Sequence, residues 1–163
     1  AVDFSGPIAV RYPRGEAFDE LKEYRAPLEY GKAEVLYEES EILLLAVGSM
    51  VKTALTVREQ LKEKGYSCSL INARFVKPFD EELLLKLQKN HKLLVTLEEN
   101  VQSGGFGEHV LEFMNTSGDG SMEVLNIAIP DVYVEHGNVE LLRKETGIDA
   151  DGIIGKIIDR KAQ

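Results

Sequence analysis

Four short runs of mainly apolar residues constrain the fold of this chain more than any other feature. The runs are Ile42–Val47, Cys68–Ala73, Leu93–Leu97 and Val124–Ile129. Strands without polar alternation are typical of a parallel sheet that is covered on both faces. The runs begin roughly 25–30 residues apart, which is the length of a strand followed by a crossover helix.

Helix signals fill the intervals between these runs. An apolar stripe at helical spacing is formed by Met50, Ala54, Val57 and Leu61, and Gly65 is placed to end that helix. Asp80, Asn138 and Asp149 are predicted to cap three later helices, and a further helix is predicted from Phe106 to Met114. A short strand near Glu34–Tyr37 precedes the series as an edge strand, able to run antiparallel.

The predicted fold class is therefore α/β. We expect a three-layer open sheet of about five strands, mostly parallel with one antiparallel edge strand. Residues 28–163 form this domain, and residues 1–27 form a tail plus linker with one short strand at Ile8–Tyr12. The chain starts at Ala1 inside an extended-looking segment, without an initiating Met, and we therefore expect it to be a piece of a longer protein.

Composition excludes several classes of function. The 28 acidic and 19 basic residues give a net charge of −9, which argues against a nucleic-acid partner. A single cysteine, Cys68, excludes an internal disulfide and favours a reducing compartment. The longest apolar run, Ile42–Val47, is far shorter than a membrane span, and no signal-peptide pattern is present.

Ligands of open α/β sheets bind beyond the carboxyl ends of the strands. The residues predicted there are Gly48-Ser49, Arg74, Glu98–Asn100, Gly104–Gly107 and Pro130–His136. Neither a phosphate loop nor a dinucleotide fingerprint is present, so we interpret Gly48-Ser49 as a plain turn. Close approach to a partner or a neighbouring helix is the functional interpretation of the Gly104–Gly107 cluster, with a tight loop as the alternative.

Other polar residues give weaker signals. Glu98 and Glu99 are adjacent at a strand end and therefore point to opposite faces, which argues against a paired acid/base role. The three histidines lack metal-ligand spacing: we expect His91 at the surface, His109 in packing, and His136 as the best site candidate of the three. In Arg11–Gly15, two arginines flank a Tyr-Pro pair and offer planar forks for a phosphate or a carboxylate.

Taken together, these motifs resemble the 1-deoxy-D-xylulose-5-phosphate synthase family. The matching segments are Gly6-Pro7, Arg11–Gly15, Asn72–Pro78, Asp80–Leu83, Glu98–Asn100, Gly104–Gly107, Ile129–Asp131 and Glu135–Gly137. Their order and spacing match the carboxyl-terminal third of the family's enzymes. That part is a transketolase C-terminal domain, preceded by the last strand of a pyrimidine-binding domain.

The resemblance implies a transferase that uses thiamine diphosphate and Mg²⁺. The family condenses pyruvate with D-glyceraldehyde 3-phosphate to 1-deoxy-D-xylulose 5-phosphate and CO₂, for isoprenoid and thiamine biosynthesis. It implies a homodimer in a bacterial cytoplasm, or in a plastid for a plant protein. The family's catalytic, cofactor and metal residues lie upstream, so none is predicted in this chain, which we expect to be inactive alone and to support structure and dimerisation.

One site position follows from the resemblance. Arg14 matches the family's arginine that binds the phosphate of glyceraldehyde 3-phosphate, and Arg11 is the alternative for this role. Other interpretations remain: the C-terminal domain of transketolase, that of a 2-oxoacid dehydrogenase β subunit, or a stand-alone α/β module that binds an anion or a protein. The series from Tyr12–Gly15 to Phe75–Pro78 favours the synthase.

Overall fold

The computed structural model describes residues 3–12, 18, 21, 23–24 and 27–162. In chain order the elements are β1 (Glu34–Tyr37), β2 (Glu41–Ala46), α1 (Met50–Glu63), β3 (Cys68–Asn72), α2 (Glu81–Leu87), β4 (His91–Val101), α3 (Phe106–Ser117), β5 (Glu123–Ile129), α4 (Val139–Thr146) and α5 (Ala150–Lys161). A short 3-10 turn, Gln88–Asn90, links α2 to β4.

The strands form one sheet in the order β1-β3-β2-β4-β5. β2, β3, β4 and β5 run parallel, and β1 pairs with β3 in the antiparallel sense at the edge. Successive β2 side chains alternate between two cores: Leu44 joins the core under α1 and α5, and Leu45 joins the core under α2 and α3. The predicted three-layer fold with an antiparallel edge strand is confirmed.

The predicted helix caps are also confirmed. The Asp80 carboxylate accepts a hydrogen bond from Leu83 N at 3.2 Å, and Asn138 Oδ1 accepts one from Glu140 N at 2.9 Å. Asp149 Oδ1 accepts one from Gly152 N at 3.1 Å. α3 extends three residues beyond the predicted end at Met114, because the apolar repeat stops there while the helix continues through a polar last turn.

Cys68 is a small buried thiol in the sheet. Its side chain is fully buried at the start of β3, and this burial raises the pKa of the thiol to about 12. The group is therefore protonated at neutral pH.

Two histidine predictions are wrong. His91, expected at the surface, is 3% exposed because β4 begins two residues earlier than predicted and carries its ring into the core. His91 Nδ1 lies 2.6 Å from Leu87 O, which can only accept, so Nδ1 is the donor of this hydrogen bond, and Nε2 lies 2.8 Å from Ser69 Oγ. His109, expected in packing, is exposed on α3 because Phe106 and Val110 define its inward face.

The segment before the domain forms no strand in the part of it that the structure describes. Residues 8–12 were predicted as a strand, yet they pair with none of the five strands and are exposed. Isolated backbone groups do not make a strand without a neighbour to receive their hydrogen bonds. Arg14 lies outside the described residues. No helix among the described residues is both long enough and apolar enough to span a membrane.

Candidate functional site at the carboxyl edge of the sheet

The strand order places a crevice between the carboxyl ends of β2 and β4. The crossover after β2 runs through α1 to β3 on one side, and the crossover after β4 runs through α3 to β5 on the other. Neighbouring strands whose connections leave in opposite directions form the ligand crevice of open α/β sheets. Gly48-Ser49 follows β2 at this point, and Glu98 and Glu99 lie near the end of β4.

Glu98 points to the α3 side of the sheet and is 4% exposed. Its carboxylate accepts hydrogen bonds from Phe106 N at 2.9 Å and from Gly107 N at 2.7 Å. These amides belong to the first turn of α3, where the helix dipole favours a negative charge. The N-terminus of α3 is thus already occupied by a carboxylate of the same chain.

The glycine cluster permits this close packing. A Cβ on Gly105 would lie 2.5 Å from Val101 O, and one on Gly107 would lie 2.5 Å from Thr96 Oγ1. Real Cβ atoms do not approach other atoms that closely, so a side chain at either position would push α3 away from the sheet. The neighbours that require a glycine at positions 105 and 107 are therefore the strands β4 and β5, the latter through Asn126.

Glu99 points away from Glu98 and joins three elements. Its Oε1 accepts from Arg143 Nε at 2.9 Å, and its Oε2 accepts from Arg143 Nη2 at 2.9 Å. Ser49 Oγ donates to the same Oε2 at 2.6 Å. We call Ser49, Glu99 and Arg143 the rim cluster; it links the turn before α1, the end of β4 and the last turn of α4.

The opposite orientations of Glu98 and Glu99 confirm that these carboxylates do not form an acid/base pair. The hydrogen bonds from Arg143 lower the pKa of Glu99, and the Ser49 hydroxyl adds to this effect. Glu99 in turn raises the pKa of Arg143. Both groups are charged at neutral pH, so the rim cluster holds its geometry rather than exchanging protons.

We expect the stabilising effect of Glu99 to depend on pH. Because its pKa is lower in the folded than in the unfolded chain, the unfolded chain binds more protons as the pH falls below about 4.3. The stabilisation is therefore complete above that pH and is lost below it. Glu99→Gln should lower the free energy of unfolding by about 1 kcal/mol at pH 7, since the pair is partly exposed, and by much less at pH 3.

Urea unfolding followed by circular dichroism at both pH values measures this difference. Glu63→Gln, at an exposed position near the end of α1, is the matched control and should have no such pH-dependent effect. An equal loss at pH 7 and pH 3 for Glu99→Gln would contradict the assignment of its stabilising effect to the charged carboxylate.

Arg11 reaches the same edge from the segment before the domain. Its Nη2 donates to the backbone carbonyl oxygen of Glu99 at 3.2 Å, in an exposed position. Arg11 is one of the two arginines of the Arg11–Gly15 motif. The contact places Arg11, the first residue of that motif, at the end of β4.

Arg74 and His136, the other residues predicted at the carboxyl ends of the strands, make no contact with the rim cluster among the interactions described here. Arg74, at φ 56° just after β3, forms an ion pair with Glu34 in which both side chains are largely buried. Asn72 Oδ1 accepts from Arg74 N at 3.2 Å and supports this bend. His136 is exposed between β5 and α4, and it makes no hydrogen bond with any described residue.

The sequence did not predict the contact of Arg143 with Glu99, nor the hydrogen bond from Ser49 to the same carboxylate. Arg143 belongs to a basic pair among acidic residues, and Ser49 belongs to a turn, so neither is distinguished in the sequence. They lie 44 and 50 positions from Glu99. The available signal was weak: a basic residue in the last turn of a helix that follows the strand edge.

Two features of the described residues bear on a diphosphate cofactor and its metal ion. No group of three His, Cys, Asp or Glu side chains in the described ranges could hold a metal. The N-terminus of α3, where a helix could receive a phosphate, is filled by Glu98. Glu99 is neutralised by Arg143.

Comparison with known proteins identifies the domain. The model of the family "Transketolase, C-terminal domain" matches residues 31–153. The 1-deoxy-D-xylulose-5-phosphate synthase of Lachnoclostridium phytofermentans is 48% identical over 96% of this chain and 25% of the relative, and that of Desulforudis audaxviator is 44% identical over 94% and 24%. The chain thus spans about a quarter of the length of these relatives.

Solved structures of transketolases share the fold of this chain. A split-gene transketolase, described as an inactive tetramer of four beta subunits, superposes with a TM-score of 0.74 at 25% identity. The match covers 83% of this chain and 43% of that one. A transketolase of Campylobacter jejuni superposes with a TM-score of 0.53 at 16% identity, covering 79% and 18% and indicating the shared fold. This chain belongs to the transketolase C-terminal domain family.

Proposed function

We propose that this chain is the C-terminal part of a thiamine-diphosphate-dependent transferase that forms 1-deoxy-D-xylulose 5-phosphate and CO₂ from pyruvate and D-glyceraldehyde 3-phosphate. The observation that carries the proposal is the 48% identity, over 96% of the chain, to a protein named for that synthase. Three solved transketolases share 25%, 16% and 14% identity with the chain. Sequence identity therefore favours the synthase over transketolase.

The division of the chain is part of this proposal. Residues 28–163 form the C-terminal domain, and residues 1–27 form the end of a preceding pyrimidine-binding domain and a linker. One observation supports the boundary: the family match begins at residue 31. The full-length protein would act as a homodimer with Mg²⁺, in the cytoplasm of a bacterium, and would supply a precursor of isoprenoids and thiamine.

The cofactor would be held by the preceding parts of the protein. Thiamine diphosphate, when bound, supplies the carbanion chemistry at the carbonyl carbon of pyruvate. The described residues of this chain neither form a metal cluster nor leave the α3 N-terminus free for a diphosphate. Their role in the proposal is to support the fold and to position the phosphorylated substrate.

Within this chain, Arg14 would bind the phosphate of glyceraldehyde 3-phosphate, with Arg11 as the alternative. Arginine suits this task because its planar fork matches phosphate oxygens. The contact of Arg11 Nη2 with Glu99 O supports the assignment to Arg14, because it engages Arg11 in anchoring the segment to β4.

A comparison of the full-length protein with the 163-residue chain tests the proposed function. We expect the full-length protein, with thiamine diphosphate and Mg²⁺, to release CO₂ from pyruvate and to form 1-deoxy-D-xylulose 5-phosphate. Isothermal titration of the 163-residue chain with the same cofactors should show no binding at micromolar concentrations. Turnover of ketose phosphates in place of pyruvate would identify a transketolase, and saturable cofactor binding by the chain alone would overturn its supporting role.

A further inference from the structure

The large apolar side chains that the domain leaves exposed are concentrated on one side of it. Among the described residues from 28 onward, they lie at the carboxyl edge of the sheet or on α4, which is joined to that edge. The helices α1, α2, α3 and α5 and the turns at the amino ends of the strands expose none. Exposed apolar residues scattered singly are ordinary, whereas a concentration of them on one side of a domain indicates an interaction surface.

Three of these side chains lie beside the ends of β1 and β3. Leu28 and Tyr30 precede β1, which starts opposite the last residue of β3, and Val76 follows β3. Leu28, Tyr30 and Val76 are 70%, 58% and 41% exposed. The Tyr30 ring packs edge-on against Phe75, with the ring centroids 5.8 Å apart, so the domain itself holds this ring at the edge.

The other five lie around the ends of β4 and β5. They are Val101 at the end of β4, Val132 and Tyr133 after β5, and Val139 and Leu141 on α4. The side chain of Tyr133 is 91% exposed. We call these five residues, together with Leu28, Tyr30 and Val76, the apolar edge.

α4 depends on something outside the domain for apolar burial. The structure describes this helix in full, and none of its side chains is buried. An ion pair of Arg143 with Glu99 joins it to the end of β4. Because a short helix draws most of its stability from packing an apolar face, the exposed Val139 and Leu141 indicate a neighbour that the domain alone does not supply.

The segment before the domain identifies this neighbour. Its described residues reach the carboxyl edge at two points: the Phe4 ring lies 5.2 Å from the Tyr30 ring, and Arg11 Nη2 donates to Glu99 O at 3.2 Å. The domain matches a C-terminal family model, and the chain spans about a quarter of the length of its named relatives. Most of a protein of that length therefore precedes the domain and connects to it through this segment.

We propose that the apolar edge is the surface on which the preceding part of the same polypeptide packs. The proposal rests on the proposed function for the existence of that part, but not for its chemistry. A second copy of the protein is the competing occupant. The contacts of Phe4 and Arg11 favour the chain's own preceding part, because a covalent connection beside the surface gives that part a high effective concentration there.

Photo-crosslinking in the full-length protein tests this proposal. Tyr133 is replaced by benzoylphenylalanine, and a second variant carries the same replacement at Leu141. We expect both to form cross-links to peptides that precede residue 1, in a product that migrates as a single polypeptide. The matched controls carry the probe at Lys64, near the amino edge of the sheet, and at Glu112 on α3; both positions are exposed and should form no such link.

Limited proteolysis of the full-length protein measures the energetic contribution of the edge. Val132→Asp places a charge in the proposed interface, and we expect a nonspecific protease to cut within residues 1–27 about 10-fold faster than in the unmodified protein. Lys64→Asp changes the charge at the amino edge and should leave the rate unaltered. Equal rates for Val132→Asp and the unmodified protein would contradict the proposal.

The outcomes separate this surface from the proposed function. An active synthase whose probes at Tyr133 and Leu141 link to nothing before residue 1 would overturn the proposal while the proposed function stands. A cross-linked product with the mass of two polypeptides would show that a second copy covers the edge, and would overturn it as well. Links to the preceding part in a protein without synthase activity would support the surface and overturn the proposed function alone.

Discussion

Glu98→Ala is expected to lower the free energy of unfolding by about 3 kcal/mol, the largest loss that we foresee for a single polar side chain of this domain. The carboxylate is 4% exposed and accepts from Phe106 N and Gly107 N. Its removal leaves two buried amides without an acceptor, and each unsatisfied buried donor costs about 1–3 kcal/mol. Urea unfolding at pH 7, followed by circular dichroism, measures the effect.

Two other variants identify the cause of this loss. Glu98→Gln supplies only one acceptor oxygen for two amides, so we expect it to remain well below the unmodified chain in stability. Glu108→Ala removes a carboxylate that also accepts a backbone hydrogen bond, from Gly104 N, but at an exposed position where water can replace it. A loss as large for Glu108→Ala as for Glu98→Ala would contradict the role assigned to burial.

Arg14→Ala in the full-length protein is expected to raise the KM for glyceraldehyde 3-phosphate at least about 10-fold. A charge-assisted hydrogen bond contributes roughly 1.5–3 kcal/mol, and each 1.4 kcal/mol is a factor of ten in binding. Pyruvate carries no phosphate, so its KM should change much less. Steady-state kinetics with each substrate varied in turn gives both constants.

The control for Arg14→Ala is Arg160→Ala, which removes an exposed arginine on α5 whose nearest carboxylate oxygen, on Glu123, lies 3.9 Å away. This change should leave both Michaelis constants unaltered. If Arg14→Ala raised both constants equally, the damage would be structural and the phosphate assignment would fail. If Arg11→Ala gave the larger and phosphate-specific loss, Arg11 would be the phosphate ligand instead.

The architecture was predictable because it follows from local pattern. Apolar runs such as Ile42–Val47 contribute to both cores, which requires helices on both faces of the sheet. The capping residues Asp80, Asn138 and Asp149 define helix starts through hydrogen bonds to amides two or three residues away. Interactions of such short range can be inferred from spacing alone.

The two histidine predictions failed because the direction in which each side chain points was wrong. His91 lies between the 3-10 turn and β4, and a shift of two residues in the start of the strand moved its ring from the expected surface into the core. Successive residues of a strand or a helix point in different directions. A small error in the start of a strand, or in the buried face of a helix, therefore changes the surroundings of a side chain completely. His109 was misplaced for the same reason on α3.

The sequence by itself determined the class of fold, the opposite orientations of Glu98 and Glu99, and the motifs that the family shares. Only the tertiary structure decided what each glutamate does: Glu98 occupies the N-terminus of α3, and Glu99 is neutralised by Arg143 from 44 positions away. The physical reason is that strand order places the carboxyl ends of β2 and β4 side by side. Partners brought together by topology leave no periodic pattern in the chain, whereas burial and capping do.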